Sequence, residues 1–252
     1  MTGAVYPSLK NRLVVITGGG SGIGAALTEG FARQGARVVF LDYADAESKV
    51  LETRLSALAP APVYQHCDLT DVARLKACLA EIVNAHGPVE VLVNNAANDD
   101  RHTLAEVTPE YWDDRIAVNL RHLYFAAQAV APAMRAKGTG VILNLGSISW
   151  HLGLPDLSLY ETAKAGIEGM TRALARELGA DGVRVACIVP GNVKTPRQMK
   201  WYTLEGEAEI VAAQCLKGRI EPRDVAALAM FLASDDARFI TGHEYFVDAG
   251  WR

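Results

Sequence analysis

Seven short runs rich in Val, Ile and Leu alternate with stretches of helical periodicity along this chain, and that alternation leaves few folds open to it. The apolar runs are Leu13–Thr17, Arg37–Asp42, Val63–Asp68, Val89–Asn95, Gly140–Ser147, Arg184–Pro190 and Glu244–Asp248. Helical patterns fall between them, near 22–34, 45–58, 71–86, 109–136, 159–179 and 222–234. Near-continuous apolar runs suit strands covered on both faces, and a helix after each strand supplies the cover while returning the chain for parallel pairing. The expectation is an α/β fold, a doubly wound parallel sheet of about seven strands flanked by helices. Thr108-Pro109 marks one helix start, an N-cap followed by proline at the first helical position. With 252 residues, 50% of them hydrophobic, the chain can close one large core, and no repeat, low-complexity tract or linker divides it. A single domain over 1–252 is expected. The stretch from about 192 to 221 breaks the rhythm, being longer and more polar than an ordinary connection, which marks it as a candidate lid.

Charge and composition remove several function classes. A net charge of −4 carries no electrostatic footprint for nucleic acid or an acidic membrane surface. No apolar run approaches the roughly 20 residues of a membrane span. The opening MTGAVYPSLK lacks the basic-then-apolar layout of a signal peptide. Cys67, Cys78, Cys187 and Cys215 are scattered, without a C-x-x-C pair or a zinc-like histidine spacing, so they read as reduced thiols and no metal site is expected. A cytoplasmic enzyme or binding protein fits these features.

The first apolar run leads into Thr17-Gly-Gly-Gly-Ser-Gly-Ile-Gly24, and a helical pattern follows. Glycines there permit a tight turn and let backbone N–H groups approach a pyrophosphate at a helix N-terminus. Gly18, Ser21, Gly22, Ile23 and Gly24 are the candidate contacts. Asp42 closes the second run, eighteen residues beyond Gly24, where a carboxylate can accept hydrogen bonds from ribose hydroxyls and repel a 2′-phosphate. No Arg or Lys lies in the turn or directly after Asp42, so NAD is expected over NADP.

Tyr160 and Lys164 are four residues apart, about one helical turn, in a stretch where Ile167, Met170, Leu174 and Leu178 continue the helical period up to Gly179. A phenol titrates near ~10, and bringing it to neutrality needs about 4 kcal/mol of differential stabilisation. A fixed neighbouring ammonium can supply much of that. Such a pair is common by chance, and Ser147, thirteen residues upstream, and Asn119, a poor helix former inside a helical pattern, give it company.

Taken together these motifs resemble the classical short-chain dehydrogenase/reductase family over nearly the whole chain, which implies a Rossmann-like fold. Thr17-Gly-x-x-x-Gly-x-Gly24 matches its glycine motif, Asp68 with Leu69 its adenine contact, and Asn94-Asn95-Ala96 its strand-four motif. Asn119, Ser147, Tyr160 and Lys164 match its catalytic positions, and Pro190-Gly191 with Thr195 its segment after strand six. The resemblance implies cofactor contacts at Asn95, Ala96, Pro190, Gly191, Val193 and Thr195, and from Tyr160 and Lys164, which would also bond the nicotinamide ribose. It further implies a homotetramer. Two departures stand out: Ala97 ends Asn-Asn-Ala-Ala where the family has glycine, and Asp248-Ala-Gly250 replaces Asp-Gly-Gly.

Several loops are similar, more narrowly, to those of NAD-dependent D-xylose 1-dehydrogenases: Asn98–His102, Gly146–Leu154, Gly191–Thr195, Lys200–Thr203 and the two stretches Gly242–Tyr245 and Asp248–Arg252. That resemblance implies oxidation of the C1 hydroxyl of an aldose, D-xylose first, to a lactone, with Tyr160 as general base, Ser147 holding the reacting oxygen and Asn119 anchoring a proton-relay water. Candidate sugar contacts are Ser147, Ser149, His151, Tyr160, Asn192 and Trp201. Competing readings are another sugar (L-arabinose, L-fucose or D-glucose), a 3-oxoacyl or carbonyl reductase of the same family, and a catalytically silent dinucleotide sensor. Asp42 argues against an NADPH-using reductase, the polar loops against an acyl chain, and the complete set of four catalytic positions against silence.

Overall fold

A computed structural model describes residues 3–200 and 202–251. Seven strands form one parallel sheet: β1 (Leu13–Thr17), β2 (Arg37–Asp42), β3 (Val63–His66), β4 (Val91–Asn94), β5 (Gly140–Leu145), β6 (Val183–Pro190) and β7 (Glu244–Val247). Their order is β3-β2-β1-β4-β5-β6-β7, so the direction of winding reverses between β1 and β4, which pair with Thr17 opposite Asn94. The doubly wound, Rossmann-like expectation is met. β1 and β5 are buried at every position, as strands covered on both faces must be.

Alternate residues of one strand serve opposite layers. Val14 and Ile16 of β1 join Phe31, Leu51 and Leu232 under α1 (Gly22–Arg33), α2 (Asp45–Leu55) and, later in the chain, the helix Pro222–Ala233. Leu13 and Val15 join Leu79, Ala126, Met134 and Leu178 on the other face, under α3 (Val72–His86) and the helices spanning His122–Lys137 and Ser158–Leu178. A smaller cluster of Leu123, Ile148, Ile167, Cys187 and Val189 lies beneath the carboxyl ends of β5 and β6.

Two segments differ from expectation. The single helix expected over 109–136 is α4 (Pro109–Ile116), a π-helical turn Ala117–Arg121, and α5 (His122–Lys137). Thr108 caps α4 by accepting from Tyr111 N, with Pro109 in the first turn as expected. The π turn admits one extra residue, and Asn119 sits inside it. The stretch 192–221 also contains more structure than its polarity implies. After α6 (Ser149–Leu152) and α7 (Ser158–Leu178), it forms a bridge from Val193 to Ile220 and the helix α8 (Leu204–Ala213) before α9 (Pro222–Ala233). Thr203 caps α8 by accepting from Gly206 N. Among the described residues no helix is long and apolar enough to cross a membrane.

Candidate active site

The carboxyl ends of β1 and β4 meet at the winding reversal, and side chains weld their loops together. Asn95 Nδ2 donates to the carbonyls of Thr17 and Gly18 at 3.0 and 2.9 Å, while Thr17 Oγ1 accepts from Asn95 N at 3.0 Å. The glycine turn is packed too closely for side chains. A Cβ at Gly24 would lie 1.8 Å from the Gly18 carbonyl, and Gly18 and Gly22 hold φ of +63° and +52°. Asp42, 8% exposed, accepts from Gly20 N at 2.9 Å and from Ala44 N at 3.0 Å, so its carboxylate is fixed against the turn. Thr195 covers the same turn from β6's following loop: its methyl would meet a Cβ at Gly22 at 3.4 Å. Ser21 is exposed and Ile23 half-buried at the start of α1, with Ala96 half-buried beside Gly18. Asp68, exposed, accepts from Thr70, and Leu69 is buried beside it. Pro190 ends β6, accepting from Ile148 N, while Gly191 lies so close to Asp248 that a Cβ would be 2.7 Å from its Cα.

Next to this cradle, α7 presents Tyr160 and Lys164. Lys164 is 2% exposed, donates to the Leu145 carbonyl at 2.7 Å, and sits over the Tyr160 ring, 5.3 Å from its centroid. Burial lowers its pKa to about 8, with Cys187 and Asp99 acting in the opposite direction. Tyr160 behaves differently from the sequence expectation. Burial, reinforced by the Asp99 carboxylate, raises the phenol above its ordinary value, and only Ser147 and Arg197 pull it down. The Lys164 ammonium is committed to a backbone carbonyl, and desolvation decides the direction of the phenol's shift. Ser147 Oγ accepts from Ser149 N and Oγ at 3.2 and 2.9 Å, which fixes both serines under the short helix α6.

Asn119 is fully buried, and its amide spans one residue of the β4 loop: Oδ1 accepts from Asn98 N at 2.8 Å and Nδ2 donates to Asn98 O at 3.0 Å. The π turn that carries it thus supplies a main-chain-like partner to a loop that has none of its own, a common use of such bulges. His122, one residue past the turn and fully buried, bonds the carbonyls of Ala96 and Val118. Burial drops its pKa to about 4, so it is neutral at pH 7.

The sugar contacts expected from the loops are distributed less simply. His151 Nε2 lies 3.0 Å from Glu168 Oε1, which also accepts from Trp150 Nε1 at 2.8 Å. Asn192 Oδ1 accepts from Tyr202 at 2.7 Å and Arg219 at 3.0 Å. Trp201 lies outside the described residues. Sequence reasoning missed Glu168, which is 6% exposed and one helical turn beyond Lys164, and it missed the buried relay Asn94–Asn144–Thr171 that ties β4, β5 and α7 together. A carboxylate at a buried helix position was the available signal for the first. The second had none, because its members meet only across strands.

A family model described as enoyl-(acyl carrier protein) reductase matches residues 18–252. The chain belongs to the short-chain dehydrogenase/reductase family. Within that family it is 68% identical, over all of both chains, to a D-xylose 1-dehydrogenase of Caulobacter vibrioides. It is 47% identical to a probable galactose dehydrogenase of Rhizobium meliloti, over 97% of this chain and 96% of that one. A 3-alpha-(or 20-beta)-hydroxysteroid dehydrogenase of Mycobacterium tuberculosis shares 34%, over 96% and 90%. Short-chain dehydrogenases use nicotinamide cofactors, and the residues at the winding reversal fit one. The glycine turn leaves its backbone bare at the start of α1, and a buried carboxylate stands at the end of β2. Among the described residues no cluster of His, Cys, Asp and Glu is arranged to hold a metal ion.

Proposed function

We propose that this protein oxidises the C1 hydroxyl of an aldose, D-xylose first, to the lactone with NAD. The observation that carries the reading is the 68% identity over full length to a D-xylose 1-dehydrogenase, with Ser147, Tyr160, Lys164 and Asn119 all in place. NAD, when bound, accepts the hydride that leaves C1. Tyr160, once its own proton has left, takes the proton of the C1 hydroxyl as a phenolate, and Ser147, held by Ser149, orients the reacting oxygen. Lys164, titrating at about 8, can pass a proton on near neutral pH. Asn119 fixes the β4 loop that walls the site. Ser147 and Asp99, which act on the phenol, and Ser149 and Gln198, which bond to them, make a polar setting that suits a sugar better than an acyl chain or a steroid.

Preference for NAD over NADP rests on Asp42, whose fixed carboxylate would repel a 2′-phosphate, and on the absence of a basic residue at Tyr43. The reading also takes the chain as one catalytic domain with a lid over 192–221. The family resemblance implies a homotetramer, for which the exposed Trp112 and Tyr124 of α4 and α5 offer contact surface, and four free cysteines suit the cytoplasm. NADH formation from a panel of pentoses and hexoses, with NAD and NADP in parallel, tests the proposal. D-Xylose with NAD should give the highest kcat/KM. Turnover confined to L-arabinose, L-fucose or D-glucose would replace the sugar. Failure with every aldose, together with reduction of a keto compound, would overturn the function.

A further inference from the structure

Two consecutive side chains of the 192–221 segment reach across to three consecutive side chains after β4. Arg197 Nε lies 3.0 Å from Asp99 Oδ1, and its Nη2 lies 3.0 Å from Asp100 Oδ1 and 2.6 Å from Asn98 Oδ1. Gln198 Nε2 donates to the other Asp99 oxygen at 2.8 Å. The two sides of this contact differ in how firmly they are held. The β4 side is fixed from below, since Asn119 bonds both main-chain groups of Asn98 and Arg115 pairs with Asp100 at 2.7 Å. The 192–221 side is held by the Val193–Ile220 bridge, by the Tyr202–Asn192–Arg219 bonds and by Cys215 N and Leu216 N on the Ala249 carbonyl, while its contact with the β4 loop is made by Arg197 and Gln198. Asp99 enters the electrostatics of both Tyr160 and Lys164, and Arg197 enters that of Tyr160 with the opposite sign.

We propose that Arg197 is a positioning residue that closes the 192–221 segment onto the β4 loop and, in the same contact, supplies the counter-charge for Asp99 beside Tyr160. Closure of the site and readiness of the base would then be one event, an inference that rests on Tyr160 being the base. The pairing is geometric, and the two charges act on the phenol with opposite sign. With the segment down, Asp99 is paired and its field at the phenol is offset. With the segment up, an unpaired carboxylate faces a half-buried hydroxyl that must lose a proton, and ionisation is opposed. The guanidinium is 45% exposed and the Asp99 carboxylate 30%, so the pair is a weak, salt-screened tie, suited to opening for substrate and product.

The other titratable groups of the surrounding elements have partners of their own. Lys164 bonds Leu145 O, Arg101 bonds Pro155 O, and Arg219 bonds Glu207. His102 accepts from Leu159 N, His122 bonds two carbonyls, and Glu168 holds Trp150 and His151. Tyr202 bonds Asn192, and Cys187 is buried under Lys164.

The test compares full-length wild type with Arg197→Ala, Arg197→Lys, Asp99→Asn and the double variant Asp99→Asn/Arg197→Ala. The first readout is the pH dependence of kcat, with the best substrate of the panel, sugar or carbonyl, since the same phenol titrates in either direction. The second is hydrogen exchange over 192–213, which needs no substrate. Arg197→Ala should move the Tyr160 limb to higher pH and Asp99→Asn to lower pH, each by on the order of half to one pH unit. The double variant should return close to wild type in its limb while its segment exchanges faster, and Arg197→Lys should keep the limb. Limbs that coincide in all variants, or that move in the same direction in Arg197→Ala and Asp99→Asn, would overturn the proposal, because loosening alone has no sign. Opposite shifts seen with a carbonyl substrate and no aldose would uphold the latch while the sugar reading fails.

Discussion

Replacing Lys164 by Met should cost the protein its turnover and none of its stability. The ammonium is 2% exposed, and burial lowers its pKa from 10.5 to about 8, so at pH 7 it stays charged in surroundings that disfavour charge. At 1.36 kcal/mol per pH unit, that lowering corresponds to about 3 kcal/mol of native-state destabilisation at neutral pH. Methionine is similar in length, uncharged and flexible enough to fill the space. Its opposing cost is the bond to Leu145 O, whose loss leaves a buried carbonyl unpaired at about 1–3 kcal/mol. The balance runs from neutral to about 2 kcal/mol in favour of the variant, a rise in Tm of up to several degrees for a chain of this size. The pH trend carries the argument. A group whose folded pKa is depressed weakens the fold fully below about 8, and the weakening fades as pH rises from about 8 through 10.5. Thermal unfolding of wild type and variant at pH 7, 8, 9 and 10, followed by circular dichroism, should show a gap that closes with pH. A variant less stable than wild type at pH 7, with a gap independent of pH, would refute the reasoning.

Gly24→Ala should lower dinucleotide affinity at least on the order of tenfold and reduce Tm, because its methyl would fall 1.8 Å from Gly18 O; Gly3→Ala, with nothing within 4 Å, is the control, and titration by tryptophan fluorescence reads the difference. Asn119→Ala should lower the free energy of unfolding by about 1–3 kcal/mol, seen as a lower urea midpoint at unchanged m-value, since it strips both main-chain groups of Asn98 of their partner, and kcat should fall with it.

Periodicity was enough to read the sheet and its covering helices, because parallel strands buried on both faces leave an unbroken apolar signature. Boundaries slipped where tertiary contacts end an element: β4 stops at Asn94 because Asn95 turns to bond Thr17, and β5 stops at Leu145 before Ser147 enters the site. The break in the helix expected over 109–136 was invisible for a related reason. A π turn needs a loop that rewards it, and the reward, Asn98, lies twenty-one residues away. α8 was missed because a short capped helix in a polar stretch carries little amphipathic pattern.

By itself the sequence determined the layer architecture, the glycine turn before α1, the carboxylate at the end of β2 and the presence of Ser147, Tyr160 and Lys164, since each follows from local spacing and residue chemistry. Tertiary structure alone decided how those groups are tuned. Burial rather than proximity rules the phenol, Lys164 spends its best hydrogen bond on Leu145, and Asp99 and Arg197, ninety-eight residues apart, become one charge pair whose members act on Tyr160 with opposite sign. Desolvation and long-range pairing depend on what surrounds a residue in space, and no pattern along the chain encodes that surrounding directly.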